Sequence, residues 1–197
     1  MIIVFAKAPV PGEAKTRLIP RLGEWRAARL HERLTRHAVR TAIAAGCGRV
    51  EIHGTRRHSF FDSLGLPFRL QRGRDLGERM HHALARNPGA ILIGTDCPEL
   101  TVADLRRAAR LLRGGYEAVL APAEDGGYAL IALRRVAPET FRNIAWGTST
   151  VFAETVKRLR GRRWRALRRV RDVDRPEDLD RLRSLRFASA GRRRVRR

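Results

Sequence analysis

Three features of the sequence predict an α/β fold, a three-layer α/β/α sandwich around a mixed, mostly parallel central sheet. Short apolar runs alternate with longer stretches of helical period, the order in which βαβ units are written. Ile91-Leu92-Ile93 has no polar residue of its own, as a strand covered by helices on both faces requires. Tyr116 to Ala121 and Ala129 to Leu133 are separated by too short a loop for a crossover helix, so the sheet must contain an antiparallel or offset pair.

The first strand is Ile2 to Phe5, followed by the loop A-K-A-P-V-P-G-E-A-K-T-R-L from Ala6 to Leu18. Pro9, Pro11 and Gly12 forbid a regular element, so this backbone crosses the sheet edge before a helical turn begins near Ala14. Only Lys7, Lys15 and Lys157 are lysines in a chain that otherwise uses Arg. Two of them fall in this loop, where a compact point charge differs from a planar fork. Lys7, Lys15 and Arg17, with the backbone around Ala8, Pro9 and Gly12, form a candidate diphosphate cradle. The loop lacks the G-x-x-x-x-G-K-[ST] pattern, and a solvated basic loop reads the same way.

Trp25 to Ala44 has the longest helical pattern, with Ala27, Leu30, Leu34 and Ala38 on one stripe. His31 and His37 lie six apart, which predicts ordinary surface histidines rather than a metal pair. Val50 to His53 reads as a second strand, Phe60 to Leu64 as a helical turn, and Pro67 to Leu70 as a third strand. The next helix carries Leu76, Met80, Ala83 and Leu84 on its apolar face. Asp75 is placed as its N-cap, while Gln71 and Gly73 at the strand exit are placed to approach a base or ribose.

The central strand stops at Gly94-Thr95-Asp96-Cys97-Pro98, before a helix-starting box at Thr101-Val102-Ala103-Asp104. Asp96 therefore lies just past the carboxyl end of a buried strand, where open α/β sheets bind ligands. The competing reading is an Asp that only braces its turn. Asp125-Gly126-Gly127-Tyr128 supplies a second acid at a strand end beside permissive glycines, or simply a hairpin turn. Trp146 is a core plug or a wall for a sugar or base, and Thr148 or Ser149 caps the helix that follows. Arg165 to Val173 reads as a last strand, leading to a helix with Leu179, Leu182 and Leu185.

At 197 residues the chain can bury a core in one domain, 1–187, with 188–197 as a basic, disordered tail. Cys47 and Cys97 form no disulfide framework, which points to a reducing, cytoplasmic setting. No apolar run approaches a membrane span. The formal charge of +22 raises a polyanion-binding alternative, supported by Arg158 to Arg171 and the tail. However, many arginines lie on the polar faces of amphipathic helices, and the chain is only 6% aromatic, too few for stacked RNA recognition. Specific nucleic-acid binding is not expected.

Six motifs in order, A-K-A-P-V-P-G-E-A-K-T-R-L, Q-R-G-R-D-L-G-E-R-M, G-T-D-C-P-E-L, P-A-E-D-G-G-Y, W-G-T-S-T and D-V-D-R-P-E-D-L, resemble the bacterial glycosyltransferase family related to the arsenosugar-biosynthesis glycosyltransferase. The resemblance spans Ile2 to about Leu185. It implies the GT-A, nucleotide-diphospho-sugar transferase-like fold, and a glycosyltransferase that moves a sugar from a nucleotide-sugar to a small acceptor with Mg2+ or Mn2+. Lys7, Lys15 and Arg17 would face the diphosphate, and Asp96 and Asp174 would take the cation. Asp125, with Lys15, is the catalytic candidate, and Gly126, Gly127, Tyr128, Trp146 and Thr148 would meet sugar or acceptor. Thr95-Asp96-Cys97 has one acid where D-x-D is usual, so nucleotidyl transfer from a nucleoside triphosphate with release of pyrophosphate is the alternative.

Overall fold

The computed structural model of the chain describes residues 1–182. Its strands are β1 Ile2–Ala6, β2 Val50–Gly54, β3 Phe68–Leu70, β4 Ile91–Ile93, β5 Ala118–Pro122, β6 Tyr128–Leu133 and β7 Trp164–Ala166. The helices are α1 Ile19–Leu22, α2 Glu24–Ala45, α3 Ser59–Asp62, α4 Leu76–Ala85, α5 Val102–Arg113, α6 Val151–Arg158 and α7 Asp178–Leu182. One seven-stranded sheet has the order β3-β2-β1-β4-β6-β5-β7, so β4 lies at its middle. Every strand runs in one direction except β6, which is antiparallel to both β4 and β5.

Alternation along the central strands explains their unbroken apolar sequence. Ile2 and Val4 of β1, with Ile91 and Ile93 of β4, pack against Val39 and Ala42 of α2 and Leu105 and Ala108 of α5. Ile3 and Phe5, with Leu92, enter the second core, against Met80 and Leu84 of α4 and Leu159. Each such side chain, withdrawn from water, contributes roughly 1.5–3 kcal/mol. Replacing fully buried Ile93 by Ala would cost about 2–5 kcal/mol.

The capping box expected before α5 is formed. Thr101 accepts from the Asp104 amide, and the Asp104 carboxylate accepts from the Thr101 amide. Arg168 then reaches back to Asp104 Oδ2 at 2.8 Å, fixing the segment after β7 against the start of α5.

Four expectations are corrected. The buried line of α2 runs through Ala27, Ala28, His31, Leu34, Thr35, Val39 and Ala42 rather than Leu30 and Ala38, which are half-buried. Leu76 is 43% exposed, because it opens α4 at the edge of a cleft instead of facing the core. The last strand is only Trp164–Ala166, followed by one bridge between Val170 and Ala123. Past Ala166 the segment meets β5 through separate backbone bonds, Leu167 N to Leu120 O and Val170 N to Pro122 O, and the Val173 amide donates to Asp96 O instead. The cap of α6 is Thr150, with no side-chain bond to the helix, while the Thr148 hydroxyl donates to Ala145 O at 2.8 Å. Leu185 and the tail at 188–197 lie outside the described residues.

Candidate functional site

Between β1 and β4 the chain reverses the direction in which it adds strands. After β1 it builds outward to β2 and β3, then returns to lay β4 on the other flank of β1. Crevices at the carboxyl ends of such a pair are where open α/β sheets hold ligands. A cleft of about 620 Å³ opens at this place.

The loop after β1 forms one wall. Gly12 has φ of 80°, and Lys15 adopts the left-handed region at φ 52°, ψ 45°, an uncommon conformation for a residue with a side chain. That backbone turn sends Lys15 inward, where it is 8% exposed. Its ammonium donates to Val173 O at 2.6 Å and lies 2.6 Å from Asp96 Oδ1 and 3.7 Å from Asp174 Oδ1. Arg17 holds the other oxygen of Asp174 at 2.5 Å. The two acids assigned to a metal by resemblance therefore meet around one cationic point, which the Lys15 ammonium occupies.

Asp96 combines a buried Oδ1 with a side chain that is 50% exposed. Burial pushes its pKa up, but the Lys15 charge and then His31 outweigh this and hold the carboxyl below the ordinary aspartate value. Its backbone contributes as well: the Val173 amide donates to Asp96 O at 2.8 Å.

His31 is not a surface histidine. It is 4% exposed, its Nε2 donates to Lys7 O at 3.1 Å, and its Nδ1 faces Asp96 Oδ1 at 3.9 Å. Burial lowers its pKa despite the attraction of Asp96, so the ring is neutral at pH 7 and braces the Lys7 backbone. His37, half-buried, donates through Nε2 to Pro98 O at 3.0 Å.

Lys7, Gln71 and Arg17 line the cleft, as do Asp96, Asp125 and Asp174. So do Gly127, Tyr128, Trp146 and Thr148. Ala8, Pro9, Gly12, Gly73, Asp75 and Gly126 are not among its walls, and local structure accounts for three of them. Gly73 has φ of 138° and leaves no room for a Cβ, which would fall 2.6 Å from Glu78 Cβ. Asp75 caps α4 by accepting from Glu78 N at 2.8 Å. Gly126, at φ 88°, passes so close to the next loop that a Cβ would stand 2.1 Å from Ser149 O.

Asp125 is exposed and accepts from the Gly127 amide at 2.8 Å, the hairpin-turn arrangement. Asp172, which sequence reasoning passed over, also lines the cleft. Burial raises its pKa, and the negative charges of Asp125, Asp178 and Asp174 raise it further. Asp172-Val173-Asp174 places two acids at D-x-D spacing, a signal that was available in the sequence. The Cys97 thiol is pushed well up by burial and by Asp96, so it stays protonated and is no nucleophile.

Trp146 serves as both plug and wall. It packs over Gly77, where a Cβ would fall 2.5 Å from its ring, lies 6.3 Å from the Phe141 centroid, and still faces the cleft. The Tyr128 hydroxyl points to Met80 Sδ at 3.7 Å, and burial pushes its phenol up, leaving it neutral.

Among the described residues no three His, Cys, Asp or Glu side chains converge into a closed metal cage. Mg2+ does not require one, because it is commonly held by one or two carboxylates together with substrate phosphates. Asp96 and Asp174, two carboxylates already arranged about a positive charge, fit that requirement.

Over residues 35–148 the chain matches the family model described as "Uncharacterized protein conserved in bacteria (DUF2064)". The chain belongs to the DUF2064 family. This family member is similar in structure to a "putative nucleotide-diphospho-sugar transferase" from Desulfovibrio desulfuricans G20, with 30% identity and a TM-score of 0.86, covering 98% of this chain and 89% of that one. Two more distant likenesses show the fold alone. Rv0371c from Mycobacterium tuberculosis H37Rv is 19% identical with a TM-score of 0.59, over 92% of this chain and 96% of that one, and it has also been solved in complex with manganese. CMP:2-keto-3-deoxy-manno-octonic acid synthetase, solved with CTP, is 12% identical with a TM-score of 0.57, over 93% and 96%. A search among curated proteins finds no match. The DUF2064 chain thus has a nucleotide-diphospho-sugar transferase-like fold. No helix of the described residues is long and apolar enough to cross a membrane.

Proposed function

We propose that this DUF2064 protein is a metal-dependent glycosyltransferase, which binds a nucleotide-sugar in the cleft between β1 and β4 and transfers its sugar to a small acceptor. The observation that carries the reading is the meeting of Lys15, Asp96, Asp174 and Arg17, drawn from three distant segments, at the carboxyl edge of the parallel strands. Lys7 and Arg17, with the loop backbone, bind the diphosphate. Lys15 fixes the two acids in position from below. Mg2+ or Mn2+, held by Asp96, Asp174 and phosphate oxygens, would neutralise charge developing on the leaving diphosphate.

In the transfer, the bond from the sugar's anomeric carbon to the diphosphate breaks and a bond from that carbon to the acceptor oxygen forms. The acceptor's proton passes to a carboxylate. Asp125 and Asp172, which both line the cleft, are the candidates. Trp146 and Tyr128 form the acceptor wall. We place the protein in the cytoplasm, in keeping with the free thiols of Cys47 and Cys97. The order of its six motifs supports membership in the branch related to the arsenosugar-biosynthesis glycosyltransferase, with residues 1–187 as one functional unit.

A second reading, nucleotidyl transfer, is favoured by the single acid in Thr95-Asp96-Cys97. There an acceptor phosphate attacks the α-phosphate of a nucleoside triphosphate and pyrophosphate leaves. A thermal-shift screen of nucleotides and nucleotide-sugars with and without Mn2+ identifies the ligand. A ligand at a hundred times its Kd stabilises by about 2.7 kcal/mol. Released nucleoside diphosphate supports glycosyl transfer and released pyrophosphate the alternative. Absence of any nucleotide-dependent shift would end both.

A further inference from the structure

A second concavity, of about 370 Å³, lies on the sheet face between β2, β3 and α4 and shares only Gln71 and Arg79 with the main cleft. Its rim is formed by Arg57, Arg69, Arg72, Arg79 and Arg86, and its floor includes Phe68, Leu70 and Ala83. No carboxylate lines it. The acid beneath, Glu51, is 1% exposed and already saturated: Arg49 reaches it at 2.5 Å, Arg69 at 3.1 Å and His53 at 3.3 Å. Among the described residues no acid pairs with Arg57, Arg72 or Arg86. The positive field is felt by His82, whose pKa is lowered by burial and then by Arg86 and Arg72.

Some arginines elsewhere on the surface meet a nearby acid. Arg36 answers Glu32 on α2, Arg158 answers Glu154 on α6, and Arg74, just before α4, answers Glu78. Arg57 from the loop after β2, lying over the Phe68 ring, Arg72 from the loop after β3 and Arg86 at the C-cap of α4 bring guanidinium groups with no acid partner to one concave surface, a repulsion that an anion would relieve. The size limits the occupant, because a groove of this volume suits a metabolite-sized ligand rather than a duplex.

We infer that this groove is a second binding site, for a small anion bearing a diphosphate or phosphate group, recognised by Arg57, Arg72 and Arg86 over an apolar floor. The inference does not rest on the chemistry proposed for the main cleft. The shared chemistry could come from inorganic pyrophosphate or from a phosphate monoester, so both are probes.

The test is calorimetric titration of the full chain at physiological salt with pyrophosphate and, separately, glycerol 3-phosphate. The double variant Arg57→Gln/Arg86→Gln should bind the preferred probe at least about tenfold more weakly, the loss expected for charge-assisted hydrogen bonds. A control, Arg107→Gln/Arg110→Gln, which removes equal charge from the exposed face of α5, should bind as the parent does, all proteins carrying Lys7→Ala to weaken the main cleft's own hold on a diphosphate. Which probe binds tighter assigns a diphosphate or a monoester source. Unchanged binding by the groove variant overturns the inference. Equal weakening in the α5 control does so too, because it means diffuse attraction. Tighter binding of oligouridylate through the same arginines would also overturn it, since the face would then be a single-stranded RNA surface.

Discussion

Lys15→Ala tests the centre of the site. The substitution removes a nearly buried ammonium that donates to Val173 O at 2.6 Å and lies 2.6 Å from Asp96 Oδ1. A charged hydrogen bond of this kind contributes about 1.5–3 kcal/mol. Breaking a fully buried pair costs about 3–5 kcal/mol, but half of the Asp96 side chain is exposed, and water takes up part of that loss. The expected destabilisation is about 2–3 kcal/mol, which lowers Tm by roughly 4–12 °C in a chain of this size. Alanine keeps a Cβ at φ 52°, so the left-handed backbone contributes nothing to the difference.

Asp96→Asn alone should cost about 1–2 kcal/mol, because Lys15 keeps Val173 O and Asp174. The double variant should be more stable than the sum of the two predicts, with a coupling of about 1–2 kcal/mol in urea denaturation. Since the folded pKa of Asp96 is depressed, this coupling is present above the unfolded aspartate value and is lost as pH falls through the folded one. Additivity within about 0.5 kcal/mol at pH 7 would refute the clamp.

Asp96→Asn should also weaken Mn2+-dependent nucleoside diphosphate binding by at least about tenfold per folded molecule, read by calorimetry; parental affinity would remove this strand end from the cation site. Gly126→Ala places a side chain at φ 88° and against Ser149 O, so it should cost at least about 2 kcal/mol in urea denaturation, and a stable variant would contradict the loop packing. His31 is buried with a lowered pKa, so the parent should lose stability as pH drops below about 6.5, the unfolded value. That slope should be smaller in His31→Gln, and urea midpoints between pH 7.5 and 5 will show whether it is.

The sheet was legible wherever burial on two faces leaves a sequence no choice. Ile91-Leu92-Ile93 occupies the middle of seven strands because each of its neighbours and both helical layers exclude water from it. The shortness of the β5–β6 connection likewise required the one reversed strand. A stripe of α2 that passes through Leu30 leaves His31 on the surface. It lies four residues from both Ala27 and Thr35, which places it on the buried line. Asp172 was hidden for another reason. Its neighbours Asp174 and Asp178 have an adequate explanation in the start of α7, where Asp178 accepts from the Asp174 and Arg175 amides.

Lys15 shows where sequence reading runs out. The presence of two of the chain's three lysines in the first loop marks it as a place for a point charge, and the loop's position past β1 suggests a phosphate as its partner. Its actual partners are 158 residues away at Val173, and on Asp96 and Asp174. No spacing rule connects these positions, because the connection exists only after β4 is laid beside β1 and the segment after β7 returns to the cleft through the Val173–Asp96 backbone bond. A side chain withdrawn from solvent in this way acts on ligands through the acids it orients. The charge left for a phosphate is then that of Lys7 and Arg17. It follows that Lys7→Ala should change nucleotide affinity without altering the fold, whereas Lys15→Ala should alter both.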